Sequence, residues 1–366
     1  MNNEAESISK AFERTFSRKC EIDTVDYVLK QLRRRKTHYV IGSRSSELAM
    51  IQTRHVRDLL EKRFPTYTFS IESKLAHGDK VLDKPLAVLA GATPGLFTKD
   101  LEVGLASRRY DLIVHSLKDM PTTLPDGLML ASVTKRVEPE DALLVCEKHR
   151  GCKGLESLPK GAVVGTSSVR RVALIRERFP HLICKDVRGN LQTRLRKLHD
   201  KDGKYDALIL AVAGLKRLGW DEHIESVLSW MPYGVGQGAL GIECREDDEN
   251  VKEMLRVATQ DLKSAMRCLA ERGLMRTLNG GCQVPIAVRS SYDEDTCTVR
   301  LQGDVLSDDG KVHIQSSMSR TCRTLKDATE MGHDLGKVLL DKGARKVLGL
   351  GGADTRAITY SDAATG

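Results

Sequence analysis

A repeated order of elements is the feature that most constrains the fold of this 366-residue chain. A short apolar run is followed by a turn rich in Gly, Ser or Thr, and then by a segment with helical spacing of apolar residues. The order starts with HYVIGSR at 38–44 and starts again near residue 160 with GAVVGTSSVRRVALIRERF. Strands that alternate with helices are typical of βαβ units with parallel strands. The sequence therefore predicts two α/β blocks of similar build.

The chain changes character after about residue 258. A helical segment, SAMRCLAERGLMRTL, comes first, and strand-like segments separated by Asp/Gly turns follow it: IAVRSS, TCTVRLQGDVLS and KVHIQSSMSRT. A last helical segment closes the unit. This order predicts an α+β unit with a small antiparallel sheet. The two α/β blocks are joined around residues 134–145, TKRVEPEDALLV, which we interpret as an extended, charged crossing.

The charge of the chain favours anionic partners. The formal net charge is +8 and aromatic residues make up only 4%. The low aromatic content argues against a stacking platform for bases or sugars. Arginines occur singly or in pairs beside Gly, Ser and Thr, a pattern typical of small-anion pockets rather than of a basic stripe that binds nucleic acid. We therefore expect a small anionic ligand and no nucleic-acid partner.

Segments that would indicate a membrane, a secretory route or a metal do not stand out. The longest apolar run, ALILAVAGL at 207–215, is too short for a membrane span. Residues 1–37 contain six acidic residues and fit neither a signal peptide nor a transit peptide. The nine cysteines have no paired spacing, which favours reduced thiols and makes a zinc site unexpected. We expect a cytoplasmic protein with a polar N-terminal extension and no metal.

Arginines recur where predicted strands end. The segments concerned are GSRSSE (42–47), GTSSVRR (165–171), VRGNLQTR (187–194) and AGLKRLG (213–219). Open parallel sheets bind ligands outside the carboxyl ends of their strands, where helix N-termini and guanidinium groups bind carboxylates or phosphates. GTSSVRR alone could be an ordinary N-cap with surface arginines. Together, the segments predict a ligand with several carboxylates, or several ligands in succession.

Other motifs carry candidate chemistry. HSLKDMP (115–121) ends a buried strand and places Asp119 among basic groups; the carboxylate is either a counter-ion or a group that stabilises a transient cation and moves a proton. YGVGQGALGIE (233–243) lacks the GxGxxG spacing of a dinucleotide site, so we interpret it as a turn between the blocks rather than as part of a nicotinamide oxidoreductase. LNGGCQVPIAV (278–288) places Cys282 behind two glycines.

The motifs together resemble the porphobilinogen deaminase family, also called hydroxymethylbilane synthases. The resemblance runs from about Tyr39 to about Leu348 and includes six motifs in the order of the family: HSLKDMP, GTSSVRR, RGNLQTRLRKL, ILAVAGLKRLG, VGQGALGIE and GGCQVP. Any one of them is weak, but six in order are highly specific. The wording of HSLKDMPT and FPHL looks eukaryotic.

The resemblance implies a fold of three domains and a monomer. Two α/β domains resemble the halves of a periplasmic binding protein, and a C-terminal α+β domain carries a small antiparallel sheet. The implied boundaries are an extension at 1–37, domain 1 at 38–135 and 238–257, domain 2 at 136–237, and domain 3 at 258–366. Domain 1 thus takes back the segment that follows the VGQG turn.

The resemblance also implies the activity, that of a transferase. Four porphobilinogens are condensed with release of ammonia on a dipyrromethane cofactor, joined by a thioether to Cys282, and hydrolysis releases linear hydroxymethylbilane. Asp119 corresponds to the catalytic aspartate. Cofactor contacts are implied for Ser116, Lys118, Asp119, Thr166, Ser167, Ser168, Arg170, Arg171, Gly189 and Arg194. Substrate contacts are implied for Arg44, Ser46, Gln52, Arg188 and Arg217.

The sequence departs from the family in a lid loop. The family has two lysines in LAKxGGKGLFxKE, whereas LAVLAGATPGLFTKDLE (86–102) has Val88 in place of the first and Thr93 or Pro94 near the second. Fewer cations near the substrate predict weaker carboxylate capture or slower turnover, unless another residue substitutes. Asn279 also stands where the family often has glutamate. The alternative hypothesis is a non-catalytic, two-lobed anion-binding protein of the same fold.

Overall fold

The computed structural model describes residues 36–74, 98–200, 202–279 and 284–350. The predictions for the N-terminal extension up to residue 35, for Val88, Thr93 and Pro94 of the lid loop, and for Cys282 lie outside the described residues. None of the helices within the described ranges is long and apolar enough to cross a membrane.

Strands and helices alternate along most of the described chain. The strands are His38–Arg44 (β1), Thr68–Lys74 (β2), Leu112–Ser116 (β3), Leu128–Val133 (β4), Asp141–Val145 (β5), Val163–Gly165 (β6), Ile183–Lys185 (β7), Ala207–Ala211 (β8), Ser226–Val227 (β9), Leu240–Arg245 (β10), Ile286–Asp293 (β11), Thr298–Leu306 (β12) and His313–Thr321 (β13). The α-helices are Glu47–Arg63 (α1), Lys99–Ala106 (α2), Val169–Arg178 (α3), Leu191–His199 (α4), Val212–Arg217 (α5), Glu249–Ala258 (α6), Leu262–Thr277 (α7), Leu325–Leu339 (α8) and Arg345–Val347 (α9). A π-helical turn, Leu340–Ala344, joins the last two, and single 3-10 turns cover Leu117–Asp119, Glu147–His149, Leu155–Ser157 and Asp221–His223.

Two five-stranded sheets share one topology. Their strand orders are β2-β1-β3-β10-β4 and β7-β6-β8-β5-β9. In each sheet the first three strands are parallel, and the fourth is antiparallel to both neighbours. The prediction of two similar α/β blocks with parallel strands is confirmed for β1 to β3 and for β6 to β8. The antiparallel strands β5 and β10 lie in segments that were predicted as a crossing and a turn. Each of these strands follows a crossing between the blocks, so no crossover helix sets its direction.

The two crossings, residues 134–140 and 234–239, run side by side. Val137 N–H donates to the carbonyl of Gly238 at 3.3 Å, and Arg136 Nε donates to the carbonyl of Gln237 at 2.8 Å. Gly238 has a φ of 93°, and a Cβ there would come within 2.5 Å of the Val137 carbonyl oxygen. The glycines therefore permit this close approach. The turn leads into β10, which confirms that the glycine-rich segment joins the blocks.

The C-terminal unit is built on the antiparallel sheet β11-β12-β13. Helices α7 and α8 pack on it. Their backbones are in close contact at Gly332, where a Cβ would lie 2.0 Å from the carbonyl oxygen of Ala270. The buried residues of both helices and of the sheet form one apolar cluster. The predicted α/β class with a C-terminal α+β unit is therefore confirmed. The domain boundaries stay a prediction.

Candidate active site

Asp119 lies at the carboxyl end of β3. The strand continues into the 3-10 turn Leu117–Asp119, and the buried side chains of Leu117 and Met120 fix that turn in the core. The Leu117 N–H donates to the Ala239 carbonyl at 3.0 Å, which ties the turn to the second crossing. The carboxylate of Asp119 is left exposed beside this fixed backbone. The backbone therefore fixes the position of the carboxylate, while the carboxylate itself stays accessible to a ligand.

Lys118 connects this turn with the second block. Burial lowers the pKa of its ammonium group, while the charges of Asp119 and Asp141 oppose that shift. Arg170 and Arg171 lower the same pKa by repulsion. These interactions place the ammonium between the end of β3 in the first block and the start of α3 in the second. Lys118 therefore lies within electrostatic reach of the arginine pair with which the resemblance groups it.

Arg170 and Arg171 share one carboxylate that the sequence analysis did not single out. Asp141, fully buried, accepts from Arg170 Nη2 at 2.7 Å and from Arg171 Nη2 at 2.6 Å. Gln237 Nε2 also donates to it at 2.8 Å. Burial alone would raise the pKa of Asp141, but the two guanidinium groups hold it well below its usual range. The arginines are therefore held rigidly at the cleft, by which we mean the region where the end of β3 in the first block faces the start of α3 in the second.

Backbone carbonyls orient the arginine pair, and one guanidinium N–H of Arg171 remains without a partner among the described residues. Arg170 Nη1 donates to the Pro232 carbonyl at 2.7 Å, and Arg171 Nη1 donates to the Ile209 carbonyl at 2.8 Å. The buried Nε of Arg171 has no hydrogen-bond partner among the described residues. Asp141 begins the otherwise apolar strand DALLV, all of it buried. A buried carboxylate needs a cationic partner. The acidic residue at the start of this apolar strand is therefore a sequence signal that could have identified Asp141.

Arg194 stands on α4, opposite Asp119. The helix begins after Gly189 and Asn190, and Gly189 has a φ of 108° with the Thr193 side chain 2.7 Å from where a Cβ would lie. Arg194 Nε donates to the Gly189 carbonyl at 2.8 Å. Burial, with repulsion from other arginines, lowers the pKa of Arg194 to about 10, although the charge of Asp119 opposes the shift. Gly189 thus shapes the turn that places Arg194 within electrostatic reach of Asp119.

Nearby charges around this arginine are unevenly balanced. Arg171 and Arg188 lower its pKa, and Asp186 and Asp119 raise it. With Lys118 and Arg170, the set contains more cations than carboxylates. An excess of positive charge at a half-buried site favours a ligand that brings its own carboxylates.

The hydroxyl-rich turn before α3 is partly used within the protein. Ser167 Oγ donates to the Val187 carbonyl at 2.5 Å, and the Ser168 N–H donates to Thr166 Oγ1 at 3.2 Å. Ser168 is the N-cap of α3, but its side chain makes no capping hydrogen bond within the described part of the chain. Of the predicted hydroxyl donors in this turn, Ser168 is therefore the best placed for a ligand.

The residues predicted to contact substrate divide between two places. Gln52 and Ser116 hydrogen-bond each other at 2.9 Å at the end of β3, while Arg44 ends β1 and Ser46 precedes α1. Arg217, in contrast, donates to the Gly238 carbonyl of the second crossing at 2.8 Å. Its pKa is lowered to about 10 by burial.

The two blocks touch beside the first of these groups. Gln192 Nε2 donates to Glu47 Oε2, which joins the start of α4 to the start of α1. A Cβ at Gly214 would contact Leu191 of its own block at 3.2 Å and Leu48 of the other block at 3.7 Å. The predicted ligand residues thus line facing ends of the two sheets.

Helix α7 is fastened to the chain that follows Asp119. Arg272 donates to the carbonyls of Met120 at 3.1 Å and Pro121 at 2.6 Å, and Arg276 donates to the Thr122 carbonyl at 2.5 Å. The helix ends at Thr277, five residues before the cysteine of the GGC motif. The arm that leads to this cysteine therefore starts beside the candidate carboxylate. The sequence analysis missed both arginines, because they lie inside a helix away from the strand ends.

The chain is similar to proteins of one family. Two family models match: "Porphobilinogen deaminase, dipyromethane cofactor binding domain" over residues 39–253 and "Porphobilinogen deaminase, C-terminal domain" over residues 265–341. A porphobilinogen deaminase of Prochlorococcus marinus (strain AS9601) is 47% identical over 311 residues, covering 84% of this chain and 95% of the relative. One of Eremothecium gossypii is 46% identical over 315 residues, covering 84% and 95%. No support for the non-catalytic alternative comes from these matches.

Solved structures add only a distant likeness. The Bordetella pertussis BvgS periplasmic VFT2 domain has 12% sequence identity and a TM-score of 0.39, and the match covers 63% of this chain and 89% of that chain.

Proposed function

This chain belongs to the porphobilinogen deaminase family, and from that premise we propose that Asp119 is its catalytic carboxylate and that Cys282 is the attachment point of its cofactor. The family activity makes the chain a transferase of tetrapyrrole synthesis that acts on the small molecule porphobilinogen, and the matching cofactor-binding domain makes dipyrromethane its cofactor. The observation that carries the proposal is the exposed carboxylate of Asp119 at the end of β3, facing the cations of the second block.

The residues around Asp119 suit a cofactor that bears carboxylates. Lys118, Arg194 and the pair Arg170 and Arg171 supply more positive charge than their own acids neutralise, and Arg171 Nε is a buried donor still to be satisfied. When bound, the cofactor supplies the pyrrole chain to which porphobilinogen units are added. Arg171, Lys118, Arg194 and the hydroxyl of Ser168 would hold its carboxylates, and Ser116, Thr166, Ser167 and Gly189 would shape the surrounding turns.

Asp119 has a defined task in this proposal. Loss of ammonia leaves positive charge on the substrate ring, and a carboxylate fixed by a buried turn stabilises that charge without reorganising. The same carboxylate can accept a hydrogen bond from the pyrrole N–H. Lys118 and Arg194 lie within electrostatic reach of this carboxylate.

The incoming ring would be held at the interface of the two blocks. Arg44, Ser46 and Gln52 would bind it from the first block, and Arg188 from the second. Arg217 donates a hydrogen bond to the second crossing. If it also binds a ligand carboxylate, it links the ligand to the segment that joins the blocks. After four condensations, hydrolysis releases linear hydroxymethylbilane. The proposal also holds that the protein is a cytoplasmic monomer that binds no nucleic acid.

Asp119→Asn tests the proposed role. The substitution keeps the shape but removes the charge, so turnover of porphobilinogen should fall by about 100-fold or more, in the range found when a group that stabilises a transition-state charge is removed. The intact mass should show that the cofactor is still attached. Asp126→Asn, an exposed acid in the same connection, is the matched control and should turn over normally. Asp119→Asn with wild-type turnover would refute the role.

A further inference from the structure

A cluster of potential ligands lies at the end of the second sheet away from the cleft. One ligand atom each from Cys146, His149 and Asp206 lies within 4.8 Å of the other two. His149 Nε2 and Asp206 Oδ1 are 3.2 Å apart. The sequence analysis did not expect a metal site, because it looked for ligands that are close in sequence. The antiparallel pairing of β5 with β8 brings Asp206 beside Cys146, whose N–H donates to the Asp206 carbonyl at 2.9 Å.

We propose that Cys146, His149 and Asp206 form a binding site for a divalent transition-metal ion of the zinc type, separate from the proposed function. Thiolate sulfur, imidazole nitrogen and carboxylate oxygen are the ligands that zinc takes in proteins. With bonds of about 2.0–2.3 Å and tetrahedral angles, such atoms lie roughly 3.3–3.8 Å apart. The observed set therefore needs a contraction of about 1.5 Å at most to surround an ion. The mixed sulfur and nitrogen set disfavours magnesium and calcium, which prefer oxygen.

The backbone already orients the carboxylate. The Val163 N–H donates to Asp206 Oδ2 at 2.7 Å, so this oxygen is held by β6 and Oδ1 faces the other two ligands. Hydrogen bonds that fix ligand groups in this way are typical of metal sites. The Cys146–His149 connection is also short, since the 3-10 turn Glu147–His149 begins directly after the cysteine. Little rearrangement is needed to present the three atoms to one ion.

The Asp206 carboxylate already forms an ion pair with a lysine. Lys148 Nζ pairs with Asp206 Oδ1, the oxygen that also faces His149. The lysine side chain is 66% exposed, so it can move into solvent when a metal ion binds. Cys146, His149 and Asp206 are all half-buried, so solvent reaches them, and a water molecule would supply the fourth ligand. Lys148 is therefore a competitor of the metal.

The site is well separated from the candidate active site. Asp141 begins β5 at the cleft and Val145 ends it beside Cys146, which puts about 13 Å of strand between them. Changes to these ligands therefore leave the catalytic side chains in place. This separation allows metal binding and porphobilinogen turnover to be measured independently in the same protein.

Titration of the full-length protein with Co²⁺ tests the proposal. A cobalt ion bound to a thiolate gives a charge-transfer absorption in the near ultraviolet, and Zn²⁺ should displace the cobalt and remove the band. We expect one such ion per chain in the wild type and no band in Cys146→Ser. Cys297→Ser, a half-buried cysteine in the turn between β11 and β12, is the matched control and should keep the band. A wild type without a band, or a Cys146→Ser variant with the full band, would overturn the proposal.

Two further variants keep the test decisive if a ligand change disturbs folding. His149→Gln should weaken Co²⁺ binding at least tenfold while the thiol remains. Lys148→Ala should strengthen binding several-fold, because it removes the competing cation, whereas Lys153→Ala in the same exposed connection should leave affinity unchanged. A merely adventitious thiol–cobalt contact would not respond to Lys148→Ala, so equal affinities of the two lysine variants would contradict the assignment.

Discussion

An aspartate lies at each end of β5, Asp141 at one end and Asp206 at the other, and their surroundings differ. At the cleft end, Asp141 is fully buried and bonded to two arginines and a glutamine. At the far end, Asp206 is 16% exposed and is shared by a histidine and an exposed lysine. Asp141 is hydrogen-bonded to two arginines that stay charged, whereas Asp206 contacts a lysine and a histidine whose side chains can be displaced.

The difference indicates what each end can bind. Guanidinium groups stay charged at any physiological pH, so Asp141 fixes two cations and the surplus charge around them attracts carboxylates. The imidazole and the mobile ammonium at Asp206 can give way to a metal cation. The cleft end is thus suited to bind anions and the far end to bind cations. Experiments on either aspartate can break or sharpen this contrast.

Asp141→Asn should have the largest effect on stability. It leaves two buried arginines without their shared carboxylate, and breaking a buried ion pair by removing one partner costs about 3–5 kcal/mol. Asp206→Asn is the matched substitution at the far end and should cost roughly 1–3 kcal/mol, the range for a lost hydrogen-bond partner. Urea unfolding of both variants measures the difference. Equal losses would show that the two ends are not distinct in the way described.

Acid should narrow the gap between the wild type and Asp141→Asn. The pKa of Asp141 is lower in the folded state, so its contribution to the free energy of unfolding is complete above the unfolded value of about 3.9. That contribution declines as the pH falls through the folded pKa. The gap should therefore be constant from about pH 5 to pH 8 and shrink below about pH 4. A gap that shrinks towards alkaline pH instead would have the wrong sign.

Restoring the lid lysines should have the smallest effect. Val88→Lys with Pro94→Lys restores the two cations that the family has in this loop, so the Michaelis constant for porphobilinogen should fall or turnover should rise by a few-fold. Co²⁺ binding at the far end should stay unchanged. Unchanged steady-state constants in the double variant would refute the hypothesis that these missing lysines limit substrate capture.

The sequence predicts local elements of this fold well and long-range pairings poorly. Strand β1 lies where predicted, and α1 follows it as the repeated order of strand, turn and helix predicts, because apolar spacing is a local signal. Strands β4 and β9 and helix α6 were not predicted. The antiparallel direction of β5 and β10 was also missed, because it depends on how two distant crossings lie side by side.

The candidate site shows the same division. Asp119, Lys118 and Arg194 could be named from strand-end motifs and the family resemblance. Asp141 could not, since its role appears only when the helix that carries Arg170 and Arg171 packs beside β5. Arg272 contacts Met120, which lies 152 residues earlier in the chain. No spacing rule reports such a pairing.

The central claim is that Cys282 carries the cofactor on which Asp119 acts. Intact mass spectrometry of the purified protein tests it most directly. The account predicts a mass above that of the sequence by one dipyrromethane, the sequence mass and no turnover for Cys282→Ser, and the added mass for Cys297→Ser. A protein that turns over porphobilinogen with an unmodified Cys282 would contradict the account.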